Sequence, residues 1–592
     1  MRGSVLNLSD KENIEAPKQI AHSPARRLAR SQYLIGACLA LFFGVALLYP
    51  LYFALIEALW NKADGFTLRH IFRLFETGAP QWRWLLNSLA LAGLTTGACC
   101  VVAYPLAYLQ SRTVFRGQNL LGSLLLLPLI VPPFVGAIGL RRMLAKYGTF
   151  NLLLMKIGLL DAAHPIDFLD QYRLLGCVAV MALHFYPLLY LNLAASIGSV
   201  DPALVESSKS LGLTPLRTFL RVILPLSLPG LVAGGSLVFT GAFMDLGTPL
   251  IFGFQNTVAR QIYALANEQT SNPAAPALVA VCTLVVLALY GAAQWAAKRG
   301  YASGGVKGQT RASGSALAPA WERGAIALHL IVIAVALIPH AAVLLSAFSE
   351  RWFMTALPES FSTRNLSEAL GNKMVGLSMR NSLLYAFCST LADVLLGLAC
   401  AWAVVRGKGW FSRGVDLLSI APLAIPGLVL AFGYVGAYGP YMSGQKIFGL
   451  TLGAGFFLIM SYAVRRLPYT VRACAAGLQQ TPVQLEEAGR SLGERPWNVL
   501  RKITLPLIRG QVAAGAILAF SFAMLEVSDS IVLANKPQDF PLTKAIYMLF
   551  GNPGNGDQLA SALGFVALIF MALALLSAGS FIGRRWGEIF KG

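Results

Sequence analysis

The chain has 592 residues, of which 56% are hydrophobic and only 12% charged. A soluble globular chain carries about 25% charged residues, so this composition excludes water as the solvent for most of its length. The net charge of +20 would suggest nucleic acid on a soluble protein. Here Lys and Arg fall between long apolar runs, as the positive-inside rule places them, and no nucleic-acid partner is expected.

Residues 1–31 are polar and basic, with Arg2, Lys11, Lys18, Arg26, Arg27 and Arg30. The tail and the apolar run after it are both too long for a cleaved signal peptide, so 1–31 reads as a cytoplasmic tail. About 20 apolar residues in a helix cross a bilayer. Such runs lie near 33–58, 85–110, 119–140, 173–198, 227–253 and 274–297, then near 325–348, 381–405, 414–438, 447–469, 509–534 and 560–583. They are continuous rather than alternating, and a helix satisfies every backbone group internally. The expected fold is therefore an all-α integral membrane protein of about twelve transmembrane helices. Its first half covers 32–298, its second half 324–592, and a Gly/Ser/Ala-rich linker at 299–323 joins them.

The linker carries Arg299, Lys307, Arg311 and Arg323. With the N-terminus inside, the same side receives Arg112, Arg116, Lys209, Arg217, Arg221, Arg406, Lys408, Arg413, Arg490, Arg495, Arg501, Lys502, Arg509, Arg584, Arg585 and Lys591. Both termini are expected in the cytoplasm. Arg141, Arg142 and Lys146 dissent, and a short surface helix across 143–160 would absorb them. The eight cysteines show no ligand spacing, and His184 and His340 stand alone, so no metal site is expected.

The halves repeat each other. Asn87-Ser88-Leu89 opens the second run and Asn381-Ser382-Leu383 the eighth. Further on, 206–212 aligns with 487–493 at an offset of 281 residues (487 − 206). That register holds through Leu224-Pro225 against Leu505-Pro506, and through Asp245 against Glu526. An even number of runs separates the copies, so they insert in parallel, unlike the inverted repeats common in secondary transporters.

Both copies read Glu, five residues, Gly, nine residues, then hydrophobe-x-Leu-Pro: Glu206, Gly212, Val222, Leu224, Pro225 and Glu487, Gly493, Ile503, Leu505, Pro506. Asp201-Pro202 and Thr481-Pro482 place a capping residue before a first-turn proline. The glycine is expected to close each short helix in the left-handed conformation. Pro225 and Pro506 are expected where the next span begins. A short capped helix held at the cytoplasmic face suits docking into a partner's groove.

These stretches resemble the EAA loop of binding-protein-dependent ABC importer permeases. The literal Glu-Ala-Ala is replaced by Glu206-Ser207-Ser208 and Glu487-Ala488-Gly489, which keeps small residues after the acid. The resemblance implies two parallel six-helix halves of type I fold. It implies that Glu206, Ser207, Ser208, Gly212, Leu224 and Pro225, with Glu487, Ala488, Gly489, Gly493, Leu505 and Pro506, couple the chain to its ATPase. It also implies two copies of a separate ATPase subunit holding ATP and Mg, a periplasmic or lipid-anchored substrate-binding protein, and the lipid of a bacterial inner membrane. No cofactor and no catalytic residue is then expected on this chain. The sequence agrees in lacking a G-x-x-x-x-G-K-[ST] phosphate loop. More narrowly, the fused layout, Asp245-Leu246-Gly247-Thr248-Pro249-Leu250 and Glu526-Val527-Ser528-Asp529-Ser530 resemble the iron(III) permeases and their thiamine and phosphonate relatives. Iron(III) is the first expected cargo. Phosphonates or other phosphorylated organics, thiamine and polyamine are alternatives, and an ion-coupled secondary transporter is the alternative class.

A charge at membrane depth is costly and by default marks a pathway. Asp245, Glu526 and Asp529 are the candidate substrate-pathway residues, with a gate or an interhelical hydrogen bond as the other reading. Asp393 has no acidic counterpart in the first half and reads as structural.

Overall fold

The computed structural model describes residues 35–61, 65–76, 80–130, 132–266, 274–303, 315–407, 409–447 and 449–582. The expected tail, residues 304–314 of the linker, and the basic residues Lys408, Arg584, Arg585 and Lys591 lie outside them. The first half runs α1 (Ile35–Leu59), α2 (Pro80–Arg112), α3 (Gln118–Leu124), α4 (Pro133–Met143), α5 (Thr149–Lys156), α6 (Arg173–Gly198), α7 (Pro202–Ser210), α8 (Pro215–Phe243), α9 (Gly247–Phe252), α10 (Val258–Ala266) and α11 (Ala274–Ser303). The second runs α12 (Pro319–Ala336), α13 (Ile338–Phe348), α14 (Lys373–Arg406), α15 (Gly409–Ala424), α16 (Gly427–Met442), α17 (Ala454–Gln480), α18 (Val483–Ser491), α19 (Pro496–Met524), α20 (Ser528–Leu533), α21 (Leu542–Phe550) and α22 (Gly556–Ile582).

Among the described residues nine helices are long and apolar enough to cross a bilayer, and eleven if each of two sharply bent pairs is one span. The bent pairs are the expected third and ninth spans. Gln118–Leu129 meets α4 at 86°, and α15 meets α16 at 103°. Pro132 and Pro426 precede α4 and α16 with extended ψ of 142° and 137°. Proline brings no N–H to continue the ladder and its ring clashes with the preceding turn. The expected tenth span starts later and runs longer, as α17. Arg465, Arg466 and Arg472 hide it from an apolarity criterion. With α17, each half holds six spans.

Two expected spans begin earlier than the apolar runs suggested. Pro225 and Pro506 open the α-helical stretches Leu224–Phe243 and Leu505–Met524, as expected, but lie within the longer continuous helices α8 and α19. A π-helical turn precedes each, Phe219–Ile223 and Leu500–Thr504. The wider turn accommodates a proline ring that would otherwise kink the helix. Asn87 and Asn381 likewise sit within α2 and α14 rather than opening them.

The repeat is visible bond by bond. Ser88 Oγ accepts the Val258 N–H at 2.9 Å and Ser382 Oγ accepts the Leu542 N–H at 2.6 Å. Asn87 Nδ2 donates to the Asn256 carbonyl at 2.9 Å, and Asn381 Nδ2 to that of Gln538 at 2.7 Å. The halves also exchange their first spans. On α16, a Cβ at Gly433 would fall 2.2 Å from the Pro50 carbonyl oxygen of α1; on α4, one at Gly139 would fall 2.6 Å from the Val343 nitrogen of α13. Small residues let these backbones approach where lipid leaves packing as the main attraction. Tyr434 and Tyr438 then donate to the Ala46 and Val45 carbonyls at 2.8 and 2.6 Å.

The dissenting cations are all engaged. Arg142 donates to the Trp352 carbonyl and lies over its ring, Arg141 lies over Phe550, and Lys146 pairs with Asp167 at 3.0 Å. The surface helix expected near them is α5, shorter than 143–160.

Candidate functional site

Two regions carry the site residues. The first is the pair of loops built on α7 and α18. Asp201 caps α7, accepting the Ala203 N–H at 2.9 Å. Thr481 does not cap α18. Its hydroxyl donates back to the Gly477 carbonyl at 3.0 Å, and Pro482 holds the cap position. Both helices end alike. Gly212 and Gly493 are left-handed at φ +78° and +84°. Their N–H groups donate to Lys209 and Arg490 carbonyls at 2.9 and 3.0 Å. The following N–H groups, of Leu213 and Glu494, donate to Ser208 and Gly489 carbonyls at 3.1 Å each. This is the paired-bond Schellman closure, satisfying carbonyls that the helix end leaves orphaned.

The small residues also have a reason. Ser208 and Gly489 face the ascending helix. Ser208 Oγ lies 3.0 Å from Thr218 Oγ1, and a Cβ at Gly489 would fall 2.6 Å from Ile503 Cδ1. Glu206, Ser207, Glu487 and Ala488 are exposed on the opposite face. Around each acid stand three exposed apolar residues at matched positions: Leu204, Leu211 and Leu216 in one loop, Leu485, Leu492 and Trp497 in the other. Leu211 is 80% exposed and Leu492 86%. The two loops thus present the same apolar positions outward.

Sequence reasoning took Arg112 and Arg406 only as topology signals. Arg112 donates to the Val200 carbonyl at 2.6 Å and Arg406 to the Thr481 carbonyl at 3.0 Å. Each clamps the end of its half's second span to the start of a loop. Their equal spacing from Asn87 and Asn381 was the available signal. The second loop is braced further by Glu486, which pairs with Arg406 at 3.2 Å and Arg490 at 3.3 Å. Glu494 pairs with Lys502 at 2.8 Å, and that partner together with Asn498 holds its carboxyl below the usual carboxylate range.

The second region lies where α8 and α19 break. Asp245 falls between α8 and α9, and its Oδ2 accepts the Thr248 N–H at 2.9 Å. Glu526 falls between α19 and α20, with Asp529 in the first turn of α20. The breaks meet across the halves: a Cβ at Gly247 would stand 3.3 Å from Val527 Cγ1. Glu526 and Asp529 are not bare. Arg465 Nη1 lies 2.5 Å from Glu526 Oε1 and 3.1 Å from Asp529 Oδ1, and Arg466 Nη2 bonds Glu526 Oε2. Ser461 donates to Asp529 at 2.7 Å, and Tyr462 OH lies 2.6 Å from Ser530 Oγ. The arginine pair was missed as a partner set. Two cations inside the run Val464-Arg465-Arg466-Leu467-Pro468 were the signal. At the matching place α6 carries His184, with Nδ1 2.9 Å from the Pro128 carbonyl, and Phe185. Among the described residues, the arginine–carboxylate pairs at a helix break lie in the second half. Among the described residues no three His, Cys, Asp or Glu side chains gather as a metal site requires.

Six-span halves that meet through broken helices, each half carrying a matched glycine-closed loop, are the architecture of a membrane permease subunit. The chain belongs to the family of binding-protein-dependent transport system inner membrane components, whose pattern matches residues 100–299 and 393–588. It is 24% identical over 537 residues to the ferric transport system permease protein of Actinobacillus pleuropneumoniae, covering 87% of this chain and 73% of that one. To an Fe(3+)-transport system permease protein of Haemophilus influenzae it is 26% identical over 510 residues, 84% of this chain and 89% of the other. The spermidine/putrescine permease of Escherichia coli shares 32% over 177 residues, 30% of this chain and 62% of that protein. The chain is thus a multi-pass inner-membrane permease of the kind that works with a substrate-binding protein and an ATPase.

Proposed function

We propose that this chain forms the whole channel of an ATP-driven ferric iron importer. Two copies of an ATPase subunit dock on the loops around Glu206–Gly212 and Glu487–Gly493, from the cytoplasmic side that also holds both termini. ATP and Mg bind to those subunits, and a periplasmic or lipid-anchored protein delivers the cargo. The observation that carries this reading is the matched pair of Schellman-capped helices with matched exposed leucines. ATP-driven closure of the motors would draw the loops together and swing the halves about the junction of Asp245 with Glu526. Hydrolysis would reset it. The coupling is reciprocal, so docked binding protein raises ATPase activity. Ferric iron is favoured because relatives spanning most of the chain carry that name. The polyamine relative covers under a third of it.

The test is uptake by proteoliposomes holding this chain, its ATPase subunits and its binding protein. ATP-dependent accumulation of radiolabelled ferric iron is expected. Uptake of spermidine instead would move the cargo to polyamines. Uptake driven by a proton gradient without ATP would overturn the ATPase-driven reading.

A further inference from the structure

Asp393 has no place in the pairing described so far. It is fully buried in α14, and neither carboxylate oxygen has a hydrogen-bond partner. An unpaired carboxylate at membrane depth is expensive. Its position is fixed by two contacts. A Cβ at Gly397 would fall 2.7 Å from Thr470 Cγ2, and Arg406 reaches the Leu478 carbonyl at 3.2 Å, so α14 and α17 run in parallel. One turn back from Gly397 is Asp393, and one turn back from Thr470 is Arg466. Arg466 is the cation whose field reaches Asp393. Its Nε is also without a partner, while its Nη2 holds Glu526 and its guanidinium lies over Phe522.

The duplication adds an independent observation. Where the second half has Asp393 and Arg466, the first has Cys99 and Phe185 at the matching offsets. Acid and cation occur together in one half and are both absent from the other. A buried acid that served packing alone would not need its cation to travel with it.

We propose that Asp393 is the second seat of Arg466: during the transport cycle the guanidinium leaves Glu526 for Asp393, and Glu526 Oε2 is freed towards the junction of the halves. In the present arrangement each Glu526 oxygen already holds an arginine, and the two guanidinium charges beside it repel a cationic cargo. Transfer of Arg466 keeps its charge paired at both ends of the move. Asp393 is thus a positioning residue, acting on the pathway through Arg466. The idea that the freed Glu526 meets ferric iron rests on the function proposed above; the movement of Arg466 does not.

The test has one arm for each. In the full complex, Asp393→Asn and Arg466→Gln are made singly and together, and the coupling between them in thermal stability is compared between the resting and the ATP-plus-vanadate states. Coupling should be about fivefold or more larger on trapping, as one seat is exchanged for the other; equal coupling in the two states overturns the movement. In the second arm, Asp393→Asn should lower ferric iron uptake at least about tenfold, with rescue by Asp393→Glu and unchanged abundance and melting temperature. Uptake at the wild-type rate in Asp393→Asn overturns the proposal. So does a loss that the Glu variant does not rescue and that tracks with lost thermal stability. If the unsubstituted complex takes up no ferric iron, the cargo assignment fails while the coupling arm still decides the movement.

Discussion

Gly212 and Gly493 hold the same left-handed backbone, φ +78° and +84°, at positions 281 residues apart (493 − 212). Open space surrounds both: an added Cβ would meet nothing within 4 Å. The demand for glycine is therefore conformational, since a side chain in this region costs about 1–2 kcal/mol. Substituting Val at either position should unwind the loop's closure and reduce uptake severely, with membrane abundance unchanged. Uptake assays paired with quantitative blotting check this; normal uptake in both variants would remove the loops from the mechanism.

Gly489 differs, because its constraint is steric. The atom in the way, Ile503 Cδ1, is the end of a flexible side chain. Gly489→Ala should cost under about 1.5 kcal/mol, whereas Gly489→Leu forces the helix off the ascending span at about 1–3 kcal/mol. Thermal unfolding of the purified chain should rank them in that order, and reduced ATPase co-purification should follow the Leu variant only.

These loops were the most legible part of the sequence because their constraints are local. A left-handed glycine, a small residue against a neighbour and a proline inside a turn leave fixed spacings. The helix breaks were less legible. Apolar content spreads evenly across Pro132 and Pro426, so one run conceals two helices. The acids Asp245, Glu526 and Asp529 were found, but their surroundings were not, since Arg465 lies on another span and only folding brings it to Glu526. The same arginines kept α17 from looking like a span. The exchange of first spans rests on Gly139 and Gly433, which are long-range contacts that no local pattern marks.

Arg465 is the centre of the acid cluster. Removing it as Arg465→Gln leaves two buried carboxylates with one cation fewer, at about 3–5 kcal/mol for a broken buried pair. A marked fall in melting temperature is expected, partly restored by adding Asp529→Asn. A double-mutant cycle measures the coupling, and additive effects would show that the pair does not act as one unit.

Glu494 provides a pH signature for the second loop. Lys502 and Asn498 lower its proton affinity in the folded loop, so its stabilisation is present above the ordinary Glu value and lost as pH falls through the lowered one. Hydrogen exchange at 494–502 should be as protected at about pH 5 as at about pH 7. Protection should decline only in stronger acid, and Glu494→Gln should abolish that acid dependence.

Leu211 and Leu492 offer the most direct test of the central claim, that two loops of one chain receive two ATPase subunits. A photocrosslinking residue placed at each position in the assembled complex should capture the ATPase subunit from both sites, with yields that change when ATP is trapped. Capture from neither position, in a complex that still transports, would contradict it.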